Sequence, residues 1–464
     1  MSITSADECL DDSMVALLRT RIDGAVVLPP DADYARITPW NVAVPVQPAA
    51  AVFVASPRDV AETVQFAAAH RLTVAVQATG HGALPVGPDS LLVHTGDLNG
   101  CHVDALNRTA YIGAGVRWQQ VLDAATPYGL APPCGSAPGV GVVGFLTGAG
   151  IGPLVRSIGL SSDHVRGFEL VTGGGEILWV TADQHADLFW GLRGGKGTLG
   201  IVTAVEIELL PISEFYGGAL YFDGDDASAL VHAWSRWCVD LPESVSTSVA
   251  LQQLPESPDV PPPLAGRFTV ALRYVALGDE ADARRLLAPV RAVATPVLDA
   301  VSVLPYAAIG AVHADPPNPM PIHENHSLLQ ALTCDAVDAL LGVAGPNAGS
   351  VQAIVELRQL GGAMARPARH GSAFCHRDAA FALSTIGVLA PEIAALVPEH
   401  ASAVVEAVAP WSNGGALPNF ASAPDSARLA RCYDGDTLDR LASLAEQYDP
   451  RGVLRTGQVA RHRQ

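Results

Sequence analysis

The sequence predicts an α+β chain in more than one domain. Three observations predict it. Between residues 56 and 211, helical stretches alternate with apolar, β-rich runs. From about residue 212 the character changes, and period-two strands mix with alanine-rich helices and proline loops, as in a separate α+β unit. The length, 464 residues, itself predicts two or three domains. A chain this long buries about three quarters of its unfolded surface.

The elements follow in order. Ser56 can cap a helix, Pro57 suits its first turn, and Asp59 completes a capping box. Val60, Val64, Ala67 and Ala68 form its apolar stripe up to His70. The run Leu72 to Val76 reads as a buried strand. It opens into Gln77-Ala78-Thr79-Gly80-His81-Gly82, a tight turn that presents an imidazole. Glycine lets such a turn approach a ligand and aim its N–H groups at a phosphate. Further strands are expected at 91–95, 110–115, 165–171, 176–180 and 201–210, with a helix over 118–126. Beyond residue 212, strands are expected at 218–222, 268–274 and 353–360, with proline loops at 255–265 and 312–321. The tail 428–448 reads as helical and 449–464 as extended.

Composition excludes several classes. A net charge of −19 argues against nucleic acid or an anionic membrane as partner. Lys196 is the only lysine, which reads as a base-composition effect of the gene. Cys9, Cys101, Cys134, Cys238, Cys334, Cys375 and Cys432 are scattered and odd in number, so neither a disulfide framework nor a metal site is expected. Met1 to Asp12 carries acids where a signal peptide needs bases, so a cytoplasmic location is expected. Residues 124–155 carry no charge, a length that could span a bilayer. Five prolines and eight glycines rule out a lipid-exposed helix there. The stretch reads instead as buried irregular backbone around something flat and uncharged.

Two more motifs carry the argument. The first is Gly135-Ser136-Ala137-Pro138-Gly139-Val140-Gly141-Val142-Val143-Gly144, continuing to Gly148, Gly150 and Gly152. It contains a literal GxGxxG. Prolines precede it where a dinucleotide fold needs a strand, and glycines follow where that fold needs a helix. The second runs from Asp187-Leu188-Phe189-Trp190 through Gly200, Ile201 and Val202 to Thr203. It reads as aromatics leading into a glycine hairpin and a strand.

Together the three motifs resemble the vanillyl-alcohol-oxidase (PCMH-type FAD-binding) flavoprotein superfamily, in its berberine-bridge-enzyme-like branch. That branch carries R-x-G-G-H, G-x-(C/A)-P-x-V-G-x-x-G, D-L-F-W-x-x-R-G-G-x-G-x-x-G-I-V-T, a late N-(Y/F) and a final Y-D-P. Here these are Gln77 to His81, Gly135 to Gly144, Asp187 to Thr203, Asn419-Phe420 and Tyr448-Asp449-Pro450. The resemblance covers about 45–211 and 415–458. It implies an FAD domain over 1–211, with its PCMH-type core at 45–211. A substrate domain over 212–410 would have an antiparallel sheet covered by helices, and 411–464 would return to complete the FAD domain. It implies cofactor contacts from residues 77–82, from Gly135, Ser136, Ala137, Val140, Gly141, Gly144, Gly148, Gly150 and Gly152, and from Gly200, Val202 and Asn419. It also implies a covalent bond from His81 to the flavin 8α carbon.

The chain departs from the branch at four positions. Gln77 replaces an Arg and Thr79 a Gly. Ala137 stands where many relatives have a second tethering cysteine, so a single link is expected. Leu417 replaces the Tyr that serves carbohydrate-oxidising members as base. Candidate replacements are the cluster His323-Glu324-Asn325-His326 with its three titratable groups, His323 and His326 foremost, then Glu356 on one strand face with Arg358, and His376 beside Arg377. Val140 resembles the oxidase type, in which O2 reoxidises the flavin. The resulting expectation is an FAD-dependent oxidase of a small, largely apolar alcohol, amine or related metabolite of secondary metabolism. A dehydrogenase with another acceptor, or a non-redox flavoprotein, is the alternative.

Overall fold

The computed structural model describes residues 10–423, 425–458 and 460–462. The acidic start of the chain, with Cys9, lies outside them. Three sheets organise the molecule. The first has strands β1 (Ala25–Val27), β2 (Ala50–Phe53), β3 (Thr73–Gln77) and β4 (Ser90–His94), in the order β1-β2-β4-β3. The last three pair in parallel, and β4 is buried along its whole length. That matches its unbroken apolar run, as expected of a strand covered on both faces. The helix Pro57–His70 covers this sheet with Val60, Val64, Phe66 and Ala67. The Ser56 hydroxyl accepts from the Asp59 N–H, as its capping role requires. The Asp59 carboxylate does more than complete a box. It accepts from the N–H groups of Asp23, Gly24 and Ala55, tying the helix start to the chain before β1.

The second sheet is antiparallel: β5 (Cys101–Asp104), β6 (Thr109–Gly113), β7 (Val165–Val171), β8 (Ile177–Thr181) and β9 (Ile201–Glu208), in the order β5-β6-β9-β7-β8. Its core gathers Trp118, Phe168, Leu188, Leu192 and Val205. Asp187 to Trp190 fall in a helix, Ala186–Leu192, and a 3-10 turn, Lys196–Leu199, stands where a glycine hairpin was expected after them. Leu188 and Leu192 lie one helical turn apart and bury against Leu441 and Leu444 of the C-terminal helix Gly435–Tyr448. A short helix, Val142–Thr147, also follows Gly141, where the glycine count argued against one. No strand precedes it.

The third sheet has β10 (Glu214–Asp223), β11 (Val245–Gln253), β12 (Phe268–Ala276), β13 (Leu298–Asp299), β14 (Ser302–Pro305), β15 (Ile322–Leu329), β16 (Ile354–Gln359) and β17 (Phe381–Val388). The order is β13-β10-β12-β11-β16-β17-β15, with β14 also on β10. One face is apolar. Val249, Leu272, Leu357 and Leu383 pack under helices carrying Trp234, Leu287, Val337 and Val404. By alternation the other face is polar: Ser248, Arg273, Glu356, Arg358 and Ser384. The chain end then returns to the first two sheets. Val453 and Leu454 join the first sheet's core, and the Val74 N–H donates to the Val453 carbonyl. The Asp449 carboxylate holds that return by accepting from the Val453 and Leu454 N–H groups, both at 2.9 Å. Among the described residues no helix is long and apolar enough to cross a membrane.

Candidate active site

A cavity of about 580 Å³ separates the first two sheets from the polar face of the third. That lies in the range of small-molecule and cofactor sites. One wall is the glycine machinery: Gln77 to Gly82, then Gly135, Ser136, Ala137, Val140, Gly141 and Gly144. The other is the third sheet, with Glu324, Ile354, Glu356, Arg358, Ser384 and Ile386. Asn419, Phe420 and Gln458 close it from the C-terminal return.

The first wall suits a phosphate. Among the described residues, no hydrogen bond is made by the N–H groups of Ala78, Thr79, Gly80, His81 or Gly82. Gly80 holds φ +72°, and a Cβ there would lie 2.5 Å from Pro39 Cα. Five free donors in one turn form an anion cradle. Gln77 does not reach into it as an arginine would. Its amide is buried and donates to the Ile37 carbonyl at 2.8 Å. His81 Nδ1 lies 2.8 Å from Thr79 Oγ1, and the ring stacks on Trp40 at 5.0 Å. Burial, helped by Arg117, pushes the His81 pKa down to about 4, so the imidazole is neutral at pH 7. Asn419 donates to the Phe145 carbonyl at 2.8 Å. It packs so tightly on Gly148 that a Cβ there would lie 2.0 Å from its Oδ1.

Gly148, Gly150, Gly152, Gly200 and Val202 are not on the cavity wall. They shape what stands behind it. A Cβ on Gly150 would press on the Phe145 ring, one on Gly152 on the Cys134 carbonyl, and one on Gly200 on Leu170. Val202 is buried in the second sheet's core.

The candidate bases separate clearly. Glu356 accepts from Arg273 at 2.7 Å, Ser248 at 2.7 Å and Arg358 at 3.1 Å. Arg358 and Arg273 hold its carboxyl well below the ordinary carboxylate range despite burial, so it is a permanent anion and a poor proton acceptor. His326 lies on the same face of β15 as Glu324, stacked on Phe420 at 5.0 Å, with Nδ1 3.1 Å from Ser384 Oγ. Burial and the nearby Arg428 hold it far below 6.5. His323 lies on the opposite face of β15, away from the cavity. His376 is bonded to the Arg431 carbonyl at 2.8 Å, off the wall, while Arg377 bridges to Asp163 at 2.7 Å.

Two cavity residues, Asp315 and Lys196, have no role in the sequence reading, and a third, Glu324, appears there only as one titratable group of the 323–326 cluster. Glu324 lines the wall, and burial raises its pKa against the opposing Ala421 N–H and Arg428. Asp315 accepts from Ser136 Oγ at 2.8 Å. Lys196 sits in the third motif and donates to the Gly144 carbonyl at 3.2 Å. Glu324 had a signal: it precedes His326 by two, which puts both on one strand face. That signal needed the knowledge that 322–329 is a strand. Leu417 is buried in a small apolar cluster with Leu328 and Ile151, so no polar group stands in for the missing phenol at that position.

Comparison with known proteins agrees with this geometry. A family model described as an FAD binding domain matches residues 48–181. (R)-6-hydroxynicotine oxidase of Paenarthrobacter nicotinovorans is 27% identical over 94% of this chain and 96% of its own length. The FAD-linked oxidoreductase YgaK of Bacillus subtilis is 24% identical over the same shares. Among solved structures, 6-hydroxy-D-nicotine oxidase of Arthrobacter nicotinovorans superposes with a TM-score of 0.84 at 23% identity, covering 95% of this chain and 98% of that one. BBE-like 1 of Physcomitrella patens also gives 0.84, at 19% identity, covering 97% and 100%. With a free-donor turn, a glycine tract and a returning Asn419 around one cavity, the chain carries an FAD-binding domain over residues 48–181, shares its fold with these two solved structures, and is an FAD-dependent oxidoreductase.

Proposed function

We propose that the chain is an oxidase that takes two electrons and a proton-equivalent pair from a small amine or alcohol, with Glu324 as the proton acceptor. The observation that carries this is the state of the three carboxyls on the cavity wall. Glu356 is locked by two guanidinium groups and Asp315 by Ser136. Glu324 has no ion pair among the described residues, and burial raises its pKa toward the range where a carboxylate can take a proton. When bound, the flavin supplies the redox chemistry and passes its electrons to O2.

The rest falls to the protein. Residues 78–82 would hold the pyrophosphate, and Asn419 and the 135–144 tract would hold the ring system. The region 1–211 with 411–464 forms the cofactor half, and 212–410 presents the substrate wall. Ile322, Ile354, Ile386 and Val388 form an apolar strip beside the charged groups of that otherwise polar wall, which suits an apolar skeleton carrying one amine or hydroxyl better than a sugar. His81 would be the single tether: its imidazole, neutral at pH 7, keeps a nitrogen lone pair with which it could hold the flavin covalently.

The test is Glu324→Gln in the flavin-loaded enzyme. Anaerobic flavin bleaching by a panel of small amines and alcohols first finds a substrate. The variant should then keep the flavin spectrum and lose about 10²–10⁴-fold in bleaching rate. An unchanged rate removes Glu324 from the role.

A further inference from the structure

Lys196 is the one lysine of a chain whose other 27 basic residues are arginines, since Lys and Arg together number 28. It is not a surface charge. It lines the cavity at positive φ (62°), beside Gly144 and close to Asn419's contact on Phe145. Its ammonium makes one hydrogen bond, to the Gly144 carbonyl at 3.2 Å. An ammonium has three protons, so two are left for the cavity. Among the described residues no carboxylate lies within ion-pair distance of it. The ionisable groups that face it, Arg428 and Cys432, both come from the helix Ser426–Cys432, and the first repels it. A cation held among apolar and cationic neighbours lacks half of a pair, and a buried unpaired charge is costly. Where the chain elsewhere uses the planar guanidinium, this wall carries a compact point charge.

We propose that Lys196 is the electrostatic partner of the reduced flavin: its ammonium faces the negative charge left when the ring takes two electrons and one proton. This rests on the flavin occupying the cavity described above. Lys196 is then a positioning charge for the redox step, not a proton donor. It also differs from a mere cap on the helix Val142–Thr147, because a cap would not respond to the charge of the ring. Burial already lowers its pKa to about 8. A negative ring raises it again, so above pH 8 reduction draws one extra proton onto the amine.

Two measurements on purified holoenzyme test this. Sulfite adds to flavins and leaves the same negative charge on the ring, without any substrate. Lys196→Met should weaken sulfite binding at least tenfold. Binding within twofold of wild type overturns the proposal. The second needs no variant, and so covers a Lys196→Met that fails to fold or to hold flavin. The midpoint potential of the wild type should fall with pH at the one-proton slope below about pH 8 and at twice that slope above it. A single slope across pH 7–9 overturns the proposal. Wild-type protein that carries no flavin at all instead refutes occupancy of the cavity.

Discussion

At the scale of single residues, His81 and Ala137 make the tether testable. Both line the cavity, and the neutral imidazole keeps a nitrogen lone pair available at pH 7. Acid-denatured wild type should stay yellow, and His81→Ala should lose its flavin to the supernatant. Ala137→Cys puts a thiol on the same wall, so the double variant H81A/A137C should recover acid-stable colour. Colourless polypeptide from the double variant would put Ala137 out of reach of the ring. His81, Gly80 and Asn419 were legible because turn glycines and motif spacing are local signals. The proposed proton acceptor was legible only as one member of the 323–326 cluster. Glu324 is buried, and so has its raised pKa, only when β15 meets β17 and the C-terminal return brings Ala421 and Arg428 beside it, and none of those neighbours is near it in sequence.

At the scale of elements, Arg156 shows how the two halves are locked. It is buried in the short helix Val155–Ile158, and its guanidinium donates to the carbonyls of Val245, Leu360 and Leu241. One side chain of the glycine-tract region thus closes the ends of β11 and β16. Arg156→Ala leaves three buried carbonyls without a donor. At 1–3 kcal/mol for each unsatisfied group, partly relieved by relaxation, a loss of about 3 kcal/mol is expected. Urea unfolding should show it as a lower midpoint, and a change under 1 kcal/mol would mean that water replaces the guanidinium. Long periodic elements such as Pro57–His70 are readable from sequence because stripe and cap agree. The Asp187–Trp190 segment was read only as a lead into a hairpin, and its helix was missed. Its helix rests on Leu441 and Leu444, from a stretch about 250 residues away.

For the whole molecule, buried histidines set the acid limit. His94 is pushed down to about 4 by burial and Arg36, burial and Arg428 hold His326 well below 6.5, and burial with Arg273 and Arg358 depresses His313. All three are neutral in the fold, whereas below about pH 6.5 the unfolded chain binds protons at the same residues. Stability should therefore be flat from pH 8 to about 6.5 and fall steadily toward pH 4. Urea midpoints across that range check this, and His94→Gln should make the decline shallower. A midpoint unchanged down to pH 4.5 would contradict the neutral burial of these rings. The cavity itself is drawn from nearly the whole chain: Gln77 stands on one wall and Gln458 closes it. Time follows from that span. At about 5–20 residues per second, the phosphate cradle leaves the ribosome tens of seconds before its last wall exists. For that interval its apolar lining has no cofactor to cover it, so flavin supply during synthesis, and not only afterwards, should govern how much of this protein survives to become yellow.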